Sequence, residues 1–270
     1  MEKLEADIVI VGTGASGLFA ALHVPSDKKV LMLTKSDAEN SDSFLAQGGI
    51  CVLRDKNDFD SFMEDTMKAG HYENRKESVE IMINSSRDII NELIGYGVDF
   101  ATKDGKLDYT REGAHSKPRI LFHEDITGKE ITSTLLDAVR KLENVTIMEY
   151  VTMTDIIEKD NVCYGVLAND VNNNEMCIEA GYTIFACGGI GGLYDHSTNY
   201  PHLTGDAIAI AIQHGIKLEN VDYVQIHPTT LYTKKREHFL NGLDEIGLKH
   251  NVPQGTYFVM IDIQEFLDLP

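Results

Sequence analysis

Residues 7–17 read DIVIVGTGASG, and the fold follows from this stretch. The β-branched run at 7–11 is the pattern of a strand buried on both faces of a parallel sheet. Glycines follow at once, then a helical pattern at 18–23, a break at Pro25 and a second short strand at 29–34. Strand, glycine turn, helix and strand make a βαβ unit. In the GxGxxG formed by Gly12, Thr13, Gly14, Ala15, Ser16 and Gly17, the first glycine permits the tight turn. The second lets the backbone approach a pyrophosphate, and the third lets helix and strand pack closely. The pyrophosphate then rests on free N–H groups at the positive end of the helix. A lone GxGxxG says little, but one placed between strand and helix points to a dinucleotide. The carboxylate that would bind a ribose hydroxyl at the end of the second strand is missing, because that position reads Thr34-Lys35-Ser36. This argues against a standard NAD site. Lys35 is left to cover a phosphate or the adenosine edge, the plainer reading being a solvated loop lysine.

Outward from this unit, apolar spacing predicts helices over 58–69, 76–95 and 127–142, and a strand at 145–150. Residues 98–122 are irregular, with a weak hairpin pattern. An antiparallel meander is expected from 153–158, 163–169 and 176–180, turning at Asn172-Asn173-Asn174. A separate strand at 182–187 runs into Gly188-Gly189, and a helix over 204–214 ends at Gly215 as its C′ glycine. The fold class is α/β: a Rossmann-like domain with a parallel central sheet, an antiparallel β meander and helical insertions. One domain is expected over 1–240, followed by a divergent tail at 241–270.

The 270 residues carry 43% hydrophobic and 25% charged side chains, enough to build a sizeable core. No apolar run reaches the ~18 residues of a membrane span. The N-terminus lacks a basic n-region, so no signal peptide is expected, and the reading is cytoplasmic. Cys51, Cys163, Cys177 and Cys187 form no CxxC, which fits reduced, packed thiols rather than a zinc site or disulfide frame. The net charge of −19 repels nucleic acid and anionic membranes, while local helix ends can still bind an anion.

The segment at 41–50, SDSFLAQGGI, resembles the AQGG loop of the succinate dehydrogenase, fumarate reductase and L-aspartate oxidase flavoproteins. Further resemblances follow in order: TREGAHS at 110–116, Arg119-Ile120, His123, DITG at 125–128, ACGG at 186–189, Thr204-Gly205-Asp206 and QIHPT at 225–229. The resemblance implies FAD, held by the glycine loop, Lys35, the segment Asp42, Ser43, Phe44, Leu45, Ala46, Gln47, Gly48 and Gly49, and by Thr152, Gly188, Gly189 and Asp206. In the membrane dehydrogenases a histidine of this loop bonds covalently to the flavin. The matching position is Asp42, so non-covalent FAD is implied. Asp206 also stands where an N-cap would. Within the family the REGAHS glutamate, Glu112, is thought to orient a substrate ammonium, and the HPT residues His227 and Thr229 reach a substrate carboxylate. Without the family, Glu112 reads as a surface glutamate and His227 as a packed histidine.

The L-aspartate oxidase branch implies hydride transfer from Cα of L-aspartate to flavin N5, giving iminoaspartate, with reoxidation by oxygen or fumarate. The product would enter quinolinate formation in NAD biosynthesis, with quinolinate synthase as a pathway partner. After Leu240 the family's RGEG and PRD segments are not matched; the chain reads NGLDEIGLKH at 241–250, and 255–269 is similar to a piece of a capping domain. The expectation is weak FAD binding by this chain alone and aspartate turnover below the family's rate. Two alternatives stay open: a non-catalytic FAD- or ADP-binding fragment or split-enzyme subunit, and a soluble fumarate reductase-like enzyme.

Overall fold

The computed structural model describes residues 2–195, 197–224, 240–242 and 244–245. One compact unit comprises Met1–Leu193 and Asn199–Ile216. The remaining unit, Tyr194–Thr198 and Lys217–Pro270, is described only in part, and the boundary expected at residue 240 falls in a stretch mostly outside the described residues.

The larger unit opens with β1 (Glu2–Val11), α1 (Ala15–Leu22) and β2 (Val30–Thr34), the predicted βαβ unit. A short helix α2 (Asp42–Leu45) and β3 (Ile50–Cys51) follow, then α3 (Phe59–Ala69) and α4 (Lys76–Tyr96). A small hairpin of β4 (Thr102–Lys103) and β5 (Lys106–Leu107) precedes β6 (Ile120–Leu121), which pairs with β3. Helix α5 (Thr127–Val139), strands β7 (Val145–Glu149), β8 (Thr152–Lys159), β9 (Val162–Asn169) and β10 (Glu175–Phe185), and helix α6 (Asp206–Gln213) complete it.

Six strands form the main sheet in the order β7-β2-β1-β10-β9-β8. The pairs β7–β2, β2–β1 and β1–β10 are parallel, while β10–β9 and β9–β8 are antiparallel. Val9 and Ile10 of β1 are fully buried, as are Val30, Met32 and Leu33 of β2. One face of the sheet packs on Leu18 and Ala21 of α1 and on Leu135, Leu136 and Val139 of α5. The other face joins Val9, Leu31 and Leu33 to Val166, Ile178 and Ile210. Burying these aliphatic side chains stabilises by about 1.5–3 kcal/mol each before entropy is charged against it.

Helix α1 begins three residues before its predicted start and α5 ends three before its predicted end, and three further departures have a visible cause. β1 begins at Glu2 rather than residue 7, because Glu2–Ala6 pair with Met176–Ala180 of β10. The strands expected at 176–180 and 182–187 are one strand, β10; Gly181 stays extended beside Asp7 instead of breaking it. The helix expected from residue 204 begins at Asp206, with Gly205 as N-cap in the left-handed region (φ 71°). It ends as expected. Gly215 donates to Ile212 O and Ile216 to Ala211 O, the paired hydrogen bonds of a Schellman close.

Among the described residues no helix is long and apolar enough to cross a membrane.

Candidate FAD site

The parallel strands β2, β1 and β10 end side by side, and their carboxyl ends carry Lys35, the loop from Gly12, and the segment from Ala186. Ligands of open α/β sheets bind at such an edge. Gly12 has φ 113°, and a Cβ there would lie 2.2 Å from Ala186 O. A Cβ on Gly17 would lie 2.1 Å from Gly12 O, so the first and third glycines are demanded by the fold itself. Gly14 differs. It is the N-cap of α1 with extended geometry (φ −71°, ψ 176°), has no side chain to cap the helix, and α1 carries no acid in its first turn. Ala15 N–H donates to Ser43 Oγ at 3.1 Å, which ties the helix start to α2. Thr13 is buried and Ser16 is exposed. A positive helix end with no side-chain cap and no acid in its first turn fits a pyrophosphate.

Lys35 is not a solvated loop lysine. Its Nζ donates to Thr204 Oγ1 and to Asp206 Oδ2, both at 2.7 Å. Asp206 also accepts from the Thr204 hydroxyl (2.7 Å). A carboxylate thus reaches the end of β2 from the start of α6, although none stands there in sequence. Thr152 opens β8 at the same edge, where Val151 N–H donates to Thr34 O (2.9 Å). Beyond β10, Gly188 has φ 67° and a Cβ on Gly189 would meet nothing within 4 Å, leaving open space beside that backbone. Burial raises the Cys187 thiol to about 11, helped by the Asp206 carboxylate, so it stays protonated at neutral pH.

The AQGG loop is fixed from three sides. Ser41 caps α2 through Phe44 N–H. The Asp42 carboxylate accepts from Tyr200 N–H at 2.9 Å and from Asn199 Nδ2. Gly128 N–H donates to Ala46 O at 2.8 Å, and a Cβ on Gly128 would lie 2.2 Å from Ser43 O, so the start of α5 lies directly on this loop. Lys129 stands 5.7 Å over the Phe44 ring. Leu45, Ala46 and Gly48 are exposed and Gln47 is half-buried. Gly49 N–H donates to Glu112 Oε1 at 3.3 Å, and a Cβ on Gly48 would approach Glu112 Oε2 at 3.5 Å. Glu112 and the AQGG loop, far apart in sequence, are therefore together. His227 and Thr229 lie outside the described residues.

Sequence reasoning missed the group beneath the REGAHS loop. Arg119 is fully buried and forks onto Asp58, with Nε to Oδ2 at 3.1 Å and Nη2 to Oδ1 at 2.8 Å. Its Nη1 pairs with Asp65 Oδ2 and donates to His115 Nδ1 at 3.1 Å. Burial opposes ionisation of Asp58, but the Arg119 guanidinium and Ser61 hydroxyl outweigh it and bring its pKa to about 2. Burial and the neighbouring guanidinium push His115 below its ordinary value. The available signal was a lone arginine in an apolar run, Arg119-Ile120-Leu121, which a buried ion pair explains.

The family model described as FAD binding domain matches residues 7–260. The chain belongs to the FAD binding domain family. FAD is accordingly the cofactor of this chain. Among curated relatives, the L-aspartate oxidase of Clostridium perfringens is 44% identical over 235 residues, covering 87% of this chain and 53% of the relative. That of Clostridium acetobutylicum is 45% identical over 231 residues, covering 85% and 53%. The chain spans about half the length of these curated relatives. Among solved structures, the FrdA subunit of E. coli quinol fumarate reductase superposes with a TM-score of 0.82 at 25% identity, over 93% of this chain and 44% of that one. Mycobacterium smegmatis Sdh1 gives 0.72 at 28% identity, over 79% and 39%. This FAD binding domain therefore has the α/β architecture of the succinate dehydrogenase and fumarate reductase flavoproteins.

Proposed function

We propose that this chain is the FAD-holding part of an enzyme that oxidises L-aspartate to iminoaspartate. The observation that carries the reading is Glu112, whose carboxylate is seated on the Gly49 amide of the AQGG loop. A carboxylate fixed there gives an amino diacid a charge-assisted partner for its ammonium, which succinate lacks. The curated relatives named L-aspartate oxidase support the same reading.

In this proposal the start of α1, from Gly14, holds the pyrophosphate, and Lys35, Thr204 and Asp206 line the edge beside it. Ser43 and the Ala46–Gly49 backbone hold the flavin side. Asp42 stands where covalent attachment would need a histidine, so the flavin is held without a bond to protein. Bound FAD supplies the acceptor for the hydride leaving Cα. The chain's own part is to bind and orient: Glu112 takes the ammonium, and His227 and Thr229 take a carboxylate. Oxygen or fumarate then regenerates the oxidised cofactor. The product would feed quinolinate formation in NAD biosynthesis, with quinolinate synthase as the next enzyme in the cytoplasm.

The test is flavin absorbance of the purified protein, followed by anaerobic addition of L-aspartate or succinate. With excess FAD supplied, slow bleaching by L-aspartate but not succinate is expected, with all flavin released into the supernatant on acid precipitation. Bleaching by succinate alone would replace this reading with a fumarate reductase-like one. Yellow protein that neither diacid bleaches would leave an FAD-binding module.

A further inference from the structure

The loop that carries Glu112 is held almost wholly from one end. At its base Thr110 and Ile120 exchange backbone hydrogen bonds of 2.9 and 3.1 Å. Residues 111–114 and 116–118 are exposed, and His115 is half-buried. A turn closes where His115 N–H donates to Glu112 O (3.3 Å), and it places Ala114 in the left-handed region at φ 67°. A non-glycine residue stays in that region only when its surroundings hold it there. Those surroundings are on α3. Asp65 Oδ2 accepts from both the amide and the hydroxyl of Ser116, each at 2.7 Å.

Asp58 binds the fork of Arg119 through two hydrogen bonds. Lys117 Nζ adds a further cation 3.4 Å from Asp58. Asp65, its side chain only 14% exposed, balances the second of these two cations and at the same time reaches beyond them. Its distinctive partners are the two donors of Ser116, at the far end of the turn from Glu112.

We infer that Asp65 is a positioning residue for Glu112. Through Ser116 it fixes the turn at 112–115 so that the Glu112 carboxylate reaches the Gly49 amide, and so sets the preference for a substrate that carries an ammonium. This inference rests on the proposed contact between Glu112 and that ammonium.

Ser116→Ala is the main variant, since Ser116 is exposed and its loss leaves the Arg119 pairs in place; Asp65→Asn is the second. Glu112→Gln and the E112Q/S116A double variant are references. Hydrogen exchange at the Gly49 amide needs neither cofactor nor turnover, and the affinity of FAD-loaded protein for L-aspartate and succinate is read from flavin absorbance. S116A is expected to raise Gly49 exchange above that of the wild type. It should weaken L-aspartate binding roughly fivefold, the worth of one hydrogen bond, with succinate unchanged. The double variant should be no worse than E112Q alone, and Ser116→Thr should restore binding. Wild-type Gly49 exchange in S116A, or additive effects in the double variant, overturns the inference. An E112Q protein that keeps its preference for L-aspartate overturns the substrate role of Glu112 instead, and the Gly49 exchange still decides the clip.

Discussion

The glycines of the 12–17 loop are held for two different reasons, and single substitutions separate them. An alanine at Gly12 would place Cβ 2.2 Å from a backbone oxygen, at a φ of 113° that L residues rarely adopt. Neither problem can relax through a flexible side chain. Gly14 has an ordinary φ of −71°, and its Cβ would crowd Ser43 Oγ at 3.1 Å, with Ser41 Cβ and Ser43 Cβ at ordinary contact distances of 3.8 and 4.0 Å. Gly12→Ala is therefore expected to cost several kcal/mol, about 2–4, through strain and backbone displacement. Gly14→Ala should stay within about 1 kcal/mol of wild type yet lose FAD affinity, because the methyl occupies the approach to the helix amides. Thermal melts without flavin, beside FAD titrations, make the comparison. If Gly14→Ala melts as early as Gly12→Ala, the second glycine is structural too and its cofactor role falls.

At the scale of elements, α3 and the β3–β6 ribbon are joined by one buried charge cluster, and it dictates how they respond to acid. Asp58 has its pKa lowered from 3.8 to about 2, so folding favours its ionised form. The stabilisation is complete above about pH 4 and is lost as pH falls toward 2, an effect of order 2 kcal/mol. Asp58→Asn should cost about 3 kcal/mol at neutral pH, by leaving Arg119 buried with less counter-charge, and should flatten the acid limb. Denaturant midpoints at pH 7, 4 and 3 test this; an unchanged slope in Asp58→Asn would assign the acid sensitivity to other carboxylates. The cluster was not legible in the sequence because Arg119 meets Asp58 and Asp65 across 61 and 54 residues. The βαβ unit and the long helices were legible, since they rest on spacing within one turn or one strand. Helix α2 is only Asp42–Leu45, too short to show a period. The gathering of Glu112 with Gly49 was not legible in the sequence, because no local rule connects residues 63 apart.

Over the whole molecule, the net charge of −19 opposes the approach of FAD, itself an anion, although the site has its own local donors. Screening should therefore speed the encounter: the FAD association rate is expected to rise between about 10 and 200 mM salt, as the Debye length shortens from about 30 Å to below 10 Å. Stopped-flow quenching of flavin fluorescence reads this directly. A rate that falls with salt would mean that local cations such as Lys35 govern the encounter instead. The same scale explains why the sheet was only half readable. β10 binds β1 along its length and β9 along its first half, so its extent is set by two distant partners rather than by Gly181 within it. That arrangement also sets a sequence of events during synthesis. The Cys187 thiol lies 3.4 Å from Val11 O across 176 residues, so β1 and its glycine loop leave the ribosome long before the strand that seats them. At ~5–20 residues per second the wait is on the order of 10–35 s. Through that interval β1 presents an unpaired apolar edge, a period in which a chaperone has something to hold and premature FAD has nothing finished to bind.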